Sequence, residues 1–264
     1  MARYNLSFAG AGRVAGSLCR EMNHAGHNIL QIVSPSEKNG TILADSCNAS
    51  WSSQPDFSDS NDIIIVAVPD LRLKEVLSEL KCPESTVVAH TAGSFGLEVF
   101  PPNIRKAGIF YPLQTFSYDR KTEFRGLPFL LESRIHDVNS KLENLARSIG
   151  GDVHFVDAER RRIIHLSAVF VCNFTNFMLT AGKDISSRAG LSFELLEPLI
   201  KESISKALED GPEKSQTGPA IRNDLNTIEK HLDLLSFSPE LQNIYRDVTK
   251  AIREYYNKSV NDKF

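Results

Sequence analysis

The sequence predicts a doubly wound α/β domain with a mostly parallel sheet, followed by an all-helical domain. Strand-like apolar runs alternate with helical patterns up to Val156, and only helical periodicity is found from Asp157 onward. A glycine-rich turn also joins the first strand to the first helix, which is typical of nucleotide-binding α/β domains. We therefore predict a dinucleotide-binding domain over residues 1–156 and a helical domain over residues 157–264.

The first unit of the chain is a strand, a glycine turn and a helix. In such a turn Gly10 permits the tight bend, Gly12 lets the backbone approach a pyrophosphate, and Ala15 permits close packing of the helix on the strand. The first helical residues, Arg13 and Val14, then present free N–H groups to the phosphates. The turn predicts a bound dinucleotide, and the alternative is a structural turn in a fold that binds none.

The end of the second strand, residues 28–33, distinguishes NAD from NADP. An NAD site usually carries Asp or Glu there to bind the ribose 2′-hydroxyl, and no carboxylate occupies this strand tip. Ser34 and Ser36 can instead donate to a 2′-phosphate, and Lys38 can neutralise it. The pattern favours NADP(H), although Glu37 opposes it and an ordinary turn with a helix N-cap would explain the same residues.

The next strands continue the alternation of strand and helix. Residues 62–68 are so apolar that we expect a central parallel strand. Because open α/β sheets bind ligands at the carboxyl ends of their strands, Val68, Pro69, His90 and Thr91 are predicted to flank the ribose or the nicotinamide. Further strands are predicted at residues 86–90, 106–110, 127–131 and 152–156, with a helix at 138–149.

The second domain is predicted to contain four helices. The first is long and apolar on most faces, so we expect other helices or a second subunit to cover it. For the last helix, Ser238 is the predicted N-cap and Pro239 is the predicted first helical residue. The predicted helices span residues 158–188, 193–208, 225–235 and 239–256, with a Gly/Pro loop at 210–219.

Composition excludes several classes of protein. A chain of 264 residues can bury a large core, and its net charge of −3 predicts no affinity for nucleic acid or membrane surfaces. No secretory signal opens the chain and its longest apolar segments are of strand length, so a cytoplasmic protein is expected. The four cysteines form no CxxC pair and have no histidine at metal spacing, so we predict buried thiols without a disulfide or a metal.

Three further features can carry chemistry. His165 and Asn173 lie about 80° apart around the long helix and about 12 Å apart along it, where they can bracket a small ligand, although His165 can equally be a satisfied core residue. Gln114 and Thr115 can line a pocket beside the nicotinamide, or their loop can simply cover the sheet edge. Arg222 can clamp a substrate carboxylate, or form a surface ion pair beside a helix cap.

Taken together, these segments resemble a known family. The chain is similar to the bacterial Rossmann-like proteins with a helical C-terminal domain of unassigned function, relatives of pyrroline-carboxylate reductase, ketopantoate reductase, prephenate dehydrogenase and the β-hydroxyacid dehydrogenases. The resemblance implies an NADP-binding Rossmann domain, a homodimerising helical domain of the 6-phosphogluconate dehydrogenase C-terminal type, and an active site in the cleft between them. The matching segments are GAGRVAGSL at Gly10, VAVPD at Val66, HTAGS at His90, YPLQTF at Tyr111, HLSAVFVCNF at His165 and TGPAIRND at Thr217.

One departure limits what the resemblance implies. In the β-hydroxyacid dehydrogenases a similar helix presents a proton-transferring Lys and, four residues later, an Asn, whereas this chain has Val169 and Asn173. Valine cannot exchange a proton, so either His165 takes that role, as a histidine does in prephenate dehydrogenases, or the chemistry differs. Related sequences often have His at the position of Tyr111, which leaves the role of this tyrosine open.

The sequence thus predicts an NADP(H)-dependent oxidoreductase that moves hydride between the nicotinamide C4 and a C=O or C=N carbon of a small, carboxylated substrate. His165 would be the general acid/base, Asn173 the anchor of the substrate or of the nicotinamide amide, and Arg222 the carboxylate clamp. One alternative is a non-catalytic NADP-binding redox sensor or interaction protein, and another is a Rossmann scaffold that binds no cofactor.

Overall fold

The computed structural model describes residues 2–57, 61–118 and 120–261, with the backbone alone for 257–261. One eight-stranded sheet organises the first part of the chain, in the order β3-β2-β1-β4-β5-β6-β7-β8. The strands are β1 (Asn5–Ala9), β2 (Asn28–Val33), β3 (Ser50–Ser52), β4 (Ile63–Val66), β5 (Val87–His90), β6 (Lys106–Pro112), β7 (Pro128–Glu132) and β8 (Asp152–Phe155).

All neighbouring strands pair in parallel except β6 and β7, which are antiparallel. Ala9 pairs with Val66 and Val66 pairs with His90, so the carboxyl ends of β1, β4 and β5 meet at one edge. Because His90 pairs with Ile109 on β6, Tyr111 lies beyond the end of β5 at that same edge. The predicted fold class, a mostly parallel doubly wound sheet followed by a helical region, is confirmed.

Helices cover both faces of the sheet. In β4, Ile63 and Ile65 belong to one apolar cluster, whereas Ile64 and Val66 belong to the other, as the alternation of side chains along a strand requires. Helices α1, α2 and α4 contribute to the first cluster and α3 to the second. The helices that follow the strands are α1 (Arg13–His24), α2 (Glu37–Ser46), α3 (Asp70–Glu79), α4 (His136–Ser148) and α5 (Ala158–Ala168).

The described chain divides into two compact units, one up to Asn173 and one from Phe174. The first unit therefore includes α5, which the sequence prediction placed in the helical domain; the functional division into residues 1–156 and 157–264 stays a prediction. The second unit is helical, and part of its predicted Gly/Pro loop forms a short helix. Its helices are α6 (Thr175–Arg188), α7 (Glu197–Asp210), α8 (Pro212–Ser215), α9 (Leu225–Leu234) and α10 (Pro239–Asn261).

The predicted helix over residues 158–188 is present but not uniform. A π-helical segment, Val169–Phe174, separates α5 from α6. Each π turn shifts the phase of the side chains that follow, so the angle expected for an ideal α-helix does not describe His165 and Asn173. Such segments are frequent at functional sites.

This same helical stretch corrects one expectation from composition. Among the described residues, Ala158–Arg188 is the one helix long and apolar enough to cross a membrane, with a hydropathy of 1.5 over its most apolar window. The expectation that no apolar segment exceeds strand length was therefore wrong. Length and composition alone are weak evidence of a membrane span, because core helices of soluble proteins also meet these criteria.

Candidate functional site

The glycine turn leaves an anion-binding position at the start of α1. Gly12 is the N-cap residue and provides no side-chain hydrogen bond to the first turn, so the N–H groups at Arg13 and Val14 are left to another partner. A Cβ atom added at Gly12 would meet no heavy atom of the described residues within 4 Å. These residues therefore give no steric reason for a glycine here, whereas a pyrophosphate approaching the backbone does.

Gly10 is required by the fold itself. Its φ of +116° lies in the region that favours glycine, and its N–H donates to the Val33 carbonyl at 2.7 Å. An added Cβ would overlap the Ala67 carbonyl oxygen and lie 3.4 Å from Val68 Cγ1. The turn is thus packed directly against the end of β4, where Val68 is half-buried and Pro69 is exposed as the N-cap of α3.

The residues predicted to bind the 2′-phosphate have different roles. The buried Ser34 hydroxyl donates to the Ser36 carbonyl at 3.0 Å and accepts from Trp51 Nε1 at 3.2 Å. These two bonds stabilise the turn, and the predicted contact of Ser34 with the 2′-phosphate stays a prediction. Ser36 is the exposed N-cap of α2, its Oγ accepting from the Asn39 N–H at 3.3 Å, and Lys38 is exposed in the first helical turn.

The side chain of His90 is hydrogen-bonded to the loop that follows β5. Its imidazole is fully buried and stacks on Phe100, and its Nδ1 accepts from the Ala92 N–H at 3.2 Å. Burial lowers the pKa of His90 to about 4, so the ring is neutral at physiological pH. With Nδ1 accepting, its Nε2 carries the proton and faces the Gly96 carbonyl at 3.5 Å. The imidazole is thus engaged within the protein, and the predicted positions of His90 and Thr91 beside the cofactor both stay predictions.

A tyrosine and a histidine meet beside the carboxyl edge of the sheet. Tyr111 Oη lies 2.9 Å from His165 Nδ1, and the two rings meet edge to face. Burial raises the pKa of Tyr111, and the negative charge of Asp70 raises it further. The tyrosine keeps its proton at neutral pH and can donate it to Nδ1, which places the proton of a neutral His165 on Nε2.

Gly93 makes room for this pair. An added Cβ would lie 2.8 Å from His165 Nδ1, closer than real Cβ atoms approach, and 3.0 Å from Tyr111 Cζ, tighter than most real contacts. Two groups hold the loop that carries it: the His90 imidazole and the guanidinium of Arg161, whose Nη2 donates to the Phe95 carbonyl at 2.7 Å. Sequence reasoning missed this glycine, which stands in an ordinary small-residue loop.

Arg161 fixes α5 one helical turn before His165. It is fully buried, and its Nη1 donates to Glu132 Oε2 at 2.6 Å and to the Val156 carbonyl at 3.3 Å. With its bond to Phe95, the side chain joins α5 to the end of β7, the segment after β8 and the loop after β5. Sequence reasoning missed Arg161 as well, because it stands in the run Glu-Arg-Arg-Arg with two exposed arginines.

A cavity of about 370 Å³ opens beside the pair. Four of the predicted site residues line it: Gln114, Thr115, His165 and Asn173. The ionisable side chains of the lining are His165, Tyr111 and Cys172. A larger cavity of about 460 Å³ lies against α1, but no predicted site residue lines it. The polar lining residues of the first cavity are Tyr111, Gln114, Thr115, His165, Ser167 and Asn173.

Arg222 belongs to the second unit, in the turn before α9. It is exposed, and its N–H approaches the Gly218 carbonyl at 3.4 Å. Asp224 caps α9 by accepting from the Thr227 N–H at 3.1 Å, as the structural alternative for this segment requires. The substrate contact of Arg222 stays a prediction.

The fold and the site define a two-unit protein with a Rossmann-type first unit. Residues 1–114 match the model of a Rossmann-like domain, and residues 127–252 match a domain of unknown function, DUF2520. A provisionally named NADP oxidoreductase from Bacteroides fragilis is 31% identical, with 96% of this chain and 98% of that one covered and a TM-score of 0.87. The chain belongs to the family of Rossmann-like proteins with a DUF2520 C-terminal domain, which confirms the resemblance of its motifs.

More distant structures share the fold. An imine reductase from a Pseudomonas species is 17% identical, with 99% of this chain and 95% of that one covered and a TM-score of 0.66. An imine reductase from Myxococcus stipitatus, in complex with NADP+, is 18% identical over 98% and 94% of the chains, with a TM-score of 0.63. No curated protein matches the chain.

Proposed function

We propose that this protein is an NADP(H)-dependent oxidoreductase that reduces or forms a C=O or C=N bond in a small substrate. The observation that carries the proposal is the Tyr111–His165 pair, which faces a cavity at the carboxyl edge of the sheet. Ligands of open α/β sheets bind at this edge. The name of the Bacteroides fragilis relative and the NADP+ bound to an imine reductase of the same fold also support the proposal.

The first unit contains residues suited to each part of the cofactor. The backbone of Gly10, Gly12, Arg13 and Val14 would hold the pyrophosphate, and Ser36 with Lys38 the 2′-phosphate. Val68, Pro69 and Thr91 would border the ribose or the nicotinamide. The bound nicotinamide supplies or accepts the hydride, and the protein contributes position and proton transfer.

His165 is the proposed proton donor and acceptor. Its Nδ1 is held by Tyr111, which leaves Nε2 for the substrate atom that gains or loses a proton. Asn173, which also lines the cavity, can hold a carbonyl or the nicotinamide amide with its side-chain amide, and Gln114 and Thr115 add further hydrogen-bonding groups. For a carboxylated substrate we propose Arg222 as the clamp.

The cofactor assignment is tested by calorimetric titration with NADPH and NADH separately. We expect the wild type to bind NADPH at least tenfold more tightly, a difference of about 1.4 kcal/mol. Lys38→Ala should reduce this preference, because the amine that neutralises the 2′-phosphate is removed. Lys81 is an exposed lysine outside the turn, so Lys81→Ala is the control and should leave the preference for NADPH unchanged. Equal affinities in the wild type would contradict the assignment, and binding of neither nucleotide would favour an empty scaffold.

The catalytic assignment is tested by following NADPH oxidation with pyruvate and with 2-methyl-1-pyrroline as probes. Replacing His165 by Asn should lower kcat by about 10²- to 10⁴-fold, the usual contribution of a general acid, without changing NADPH affinity. Tyr111→Phe should have a smaller effect, because the imidazole remains but loses its partner.

The control for these variants is His154→Ala, because His154 is exposed on β8 and should leave turnover unchanged. Unchanged turnover in His165→Asn would remove this residue from the mechanism. NADPH binding with no oxidation by any carbonyl or imine would favour the non-catalytic alternative.

We also propose that the protein is a homodimer. Large apolar side chains stand exposed along the long helical stretch and on α7, including Leu166 (58%), Val171 (74%), Phe177 (46%) and Leu208 (83%). Exposed apolar surface of this extent usually marks an interaction site. A second copy of the chain is the cover we propose, in line with the homodimerising helical domain that the sequence resemblance implies.

The dimer predicts a single species of twice the chain mass in sedimentation velocity without detergent. Leu166→Glu with Phe177→Glu should shift it to the monomer, because two charges would be buried in the interface. Ile42→Glu is the matched control, since Ile42 is 61% exposed on α2. A monomer in the wild type would contradict the dimer, and recovery from the membrane fraction would favour a membrane-associated helix.

A further inference from the structure

Two of the four cysteines lie together in the core of the first unit. Cys19 is on α1 and Cys47 follows the last residue of α2, and their Sγ atoms are 3.2 Å apart. Both side chains are buried, with exposures of 0% and 2%. This contact could not be predicted from the sequence, because 28 positions separate the two residues.

The two thiols are chemically unequal. The Cys19 S–H donates to Cys47 Sγ, and this hydrogen bond lowers the pKa of Cys47 to about 6 against the opposing effect of burial. The same bond, together with burial, raises the pKa of Cys19. Ser46 Oγ, 3.5 Å from Cys47 Sγ, also favours the thiolate. The hydrogen bond thus favours the thiolate at Cys47 over the thiolate at Cys19, and thiolates are the nucleophilic form.

We propose that Cys19 and Cys47 are an oxidation site that forms a reversible disulfide on exposure to hydrogen peroxide. The Cys47 thiolate attacks one peroxide oxygen, the O–O bond breaks, and the departing hydroxide takes up a proton to become water, which leaves Cys47 as a sulfenic acid. Cys19 sulfur then attacks the Cys47 sulfur, the S–O bond breaks, and the hydroxide leaves as water with the Cys19 proton. Two thiols are oxidised and one peroxide is reduced to two waters.

The two sulfur atoms already lie close to bonding distance. The sulfurs must approach by about 1 Å to reach the length of roughly 2.05 Å typical of a disulfide. Cys47 is the C-cap of α2, and Asn48 after it has a φ of 54°, so the chain leaves the helix there and this sulfur is not held inside a helical turn. Cys82 and Cys172 are half-buried, and neither has a sulfur partner within the part of the chain that the structure describes.

The position of the pair gives the oxidation a structural consequence. The disulfide would close a loop containing β2 and the turn with Ser36 and Lys38, and would join the two helices that begin at the proposed phosphate positions. The oxidised protein should therefore unfold at a higher temperature, since cross-linking restricts the unfolded chain. The inference does not rest on the proposed oxidoreductase function, because it needs neither cofactor nor substrate.

The test uses the full chain, reduced, desalted and exposed to hydrogen peroxide. Denaturation in a maleimide reagent should then label two thiols instead of the four present in the sequence, and peptide mapping should find Cys19 linked to Cys47. Cys82→Ser and Cys172→Ser should each still form the link, whereas Cys19→Ser and Cys47→Ser should not. Dithiothreitol should restore the labelling. The rate of thiol loss should fall as pH is lowered through about 6, where Cys47 becomes protonated.

Three outcomes would overturn the proposal: four labelled thiols after oxidation, a link that involves Cys82 or Cys172, or link formation between protein chains only. Mapping of the wild type decides the matter even if Cys19→Ser, a core substitution, does not fold. The NADPH titration is a separate measurement, so loss of cofactor binding and absence of the disulfide can be told apart.

Discussion

Replacing Arg161 by Met should lower the free energy of unfolding by about 3 kcal/mol, the lower end of the range for removing one partner of a buried ion pair. The fully buried guanidinium pairs with Glu132 and donates to the Phe95 and Val156 carbonyls, so the variant leaves a carboxylate and two carbonyl oxygens without their donor. We choose the lower end because the Glu132 side chain keeps 22% exposure and can gain some hydration. Urea unfolding followed by circular dichroism measures the loss.

The neighbouring residue provides the matched control for this prediction. Arg160 is 77% exposed and pairs with Asp157 at 3.7 Å at the start of the same helix, so Arg160→Met should cost less than about 1 kcal/mol. Equal losses of unfolding free energy in the two variants would show that the buried contacts of Arg161 do not stabilise the fold. The double variant Arg161→Met with Glu132→Leu should recover part of the stability, because no buried charge then remains unpaired.

The fold could be predicted because its signals are local. The apolar run that forms β4 and the glycine turn before α1 each specify their element within a few residues. Strand β3 was missed because Ser50–Ser52 is three residues long and has one apolar side chain. The π-helical segment was missed because its composition is that of an ordinary apolar helix.

The site could be predicted only in part, because its contacts are distant in sequence. His165, Asn173, Gln114 and Thr115 were found from residue type and the ends of predicted elements, and they line one cavity. The partner of His165 lies 54 positions away, on a strand whose register fixes where Tyr111 stands. Burial likewise distinguishes Arg161 from its neighbours, and burial is a property of the assembled fold.

Substitution by alanine should destabilise the fold much more at Gly10 than at Gly12. Gly10→Ala forces a φ of +116° on a residue with a Cβ, which costs on the order of 1–3 kcal/mol, and the overlap with the Ala67 carbonyl adds to this. At Gly12 the φ is −81°, and the new methyl group meets no neighbour within 4 Å in the part of the chain that the structure describes. Its cost in stability should stay below about 1 kcal/mol, the difference between these residues at an N-cap.

Cofactor affinity should also distinguish the structural role of Gly10 from the proposed pyrophosphate-binding role of Gly12. In Gly12→Ala the methyl group fills the space that the pyrophosphate would take, so we expect NADPH to bind at least tenfold more weakly, a loss of about 1.4 kcal/mol or more, in a protein that is otherwise folded. The titration should be made on both variants at a temperature where circular dichroism shows each to be native. If Gly12→Ala binds NADPH as tightly as the wild type, the glycine turn does not hold the pyrophosphate and the proposed cofactor site is wrong. A loss of affinity confined to Gly10→Ala would instead show that the turn acts through the stability of the fold, because that residue is the one with a structural reason to be glycine.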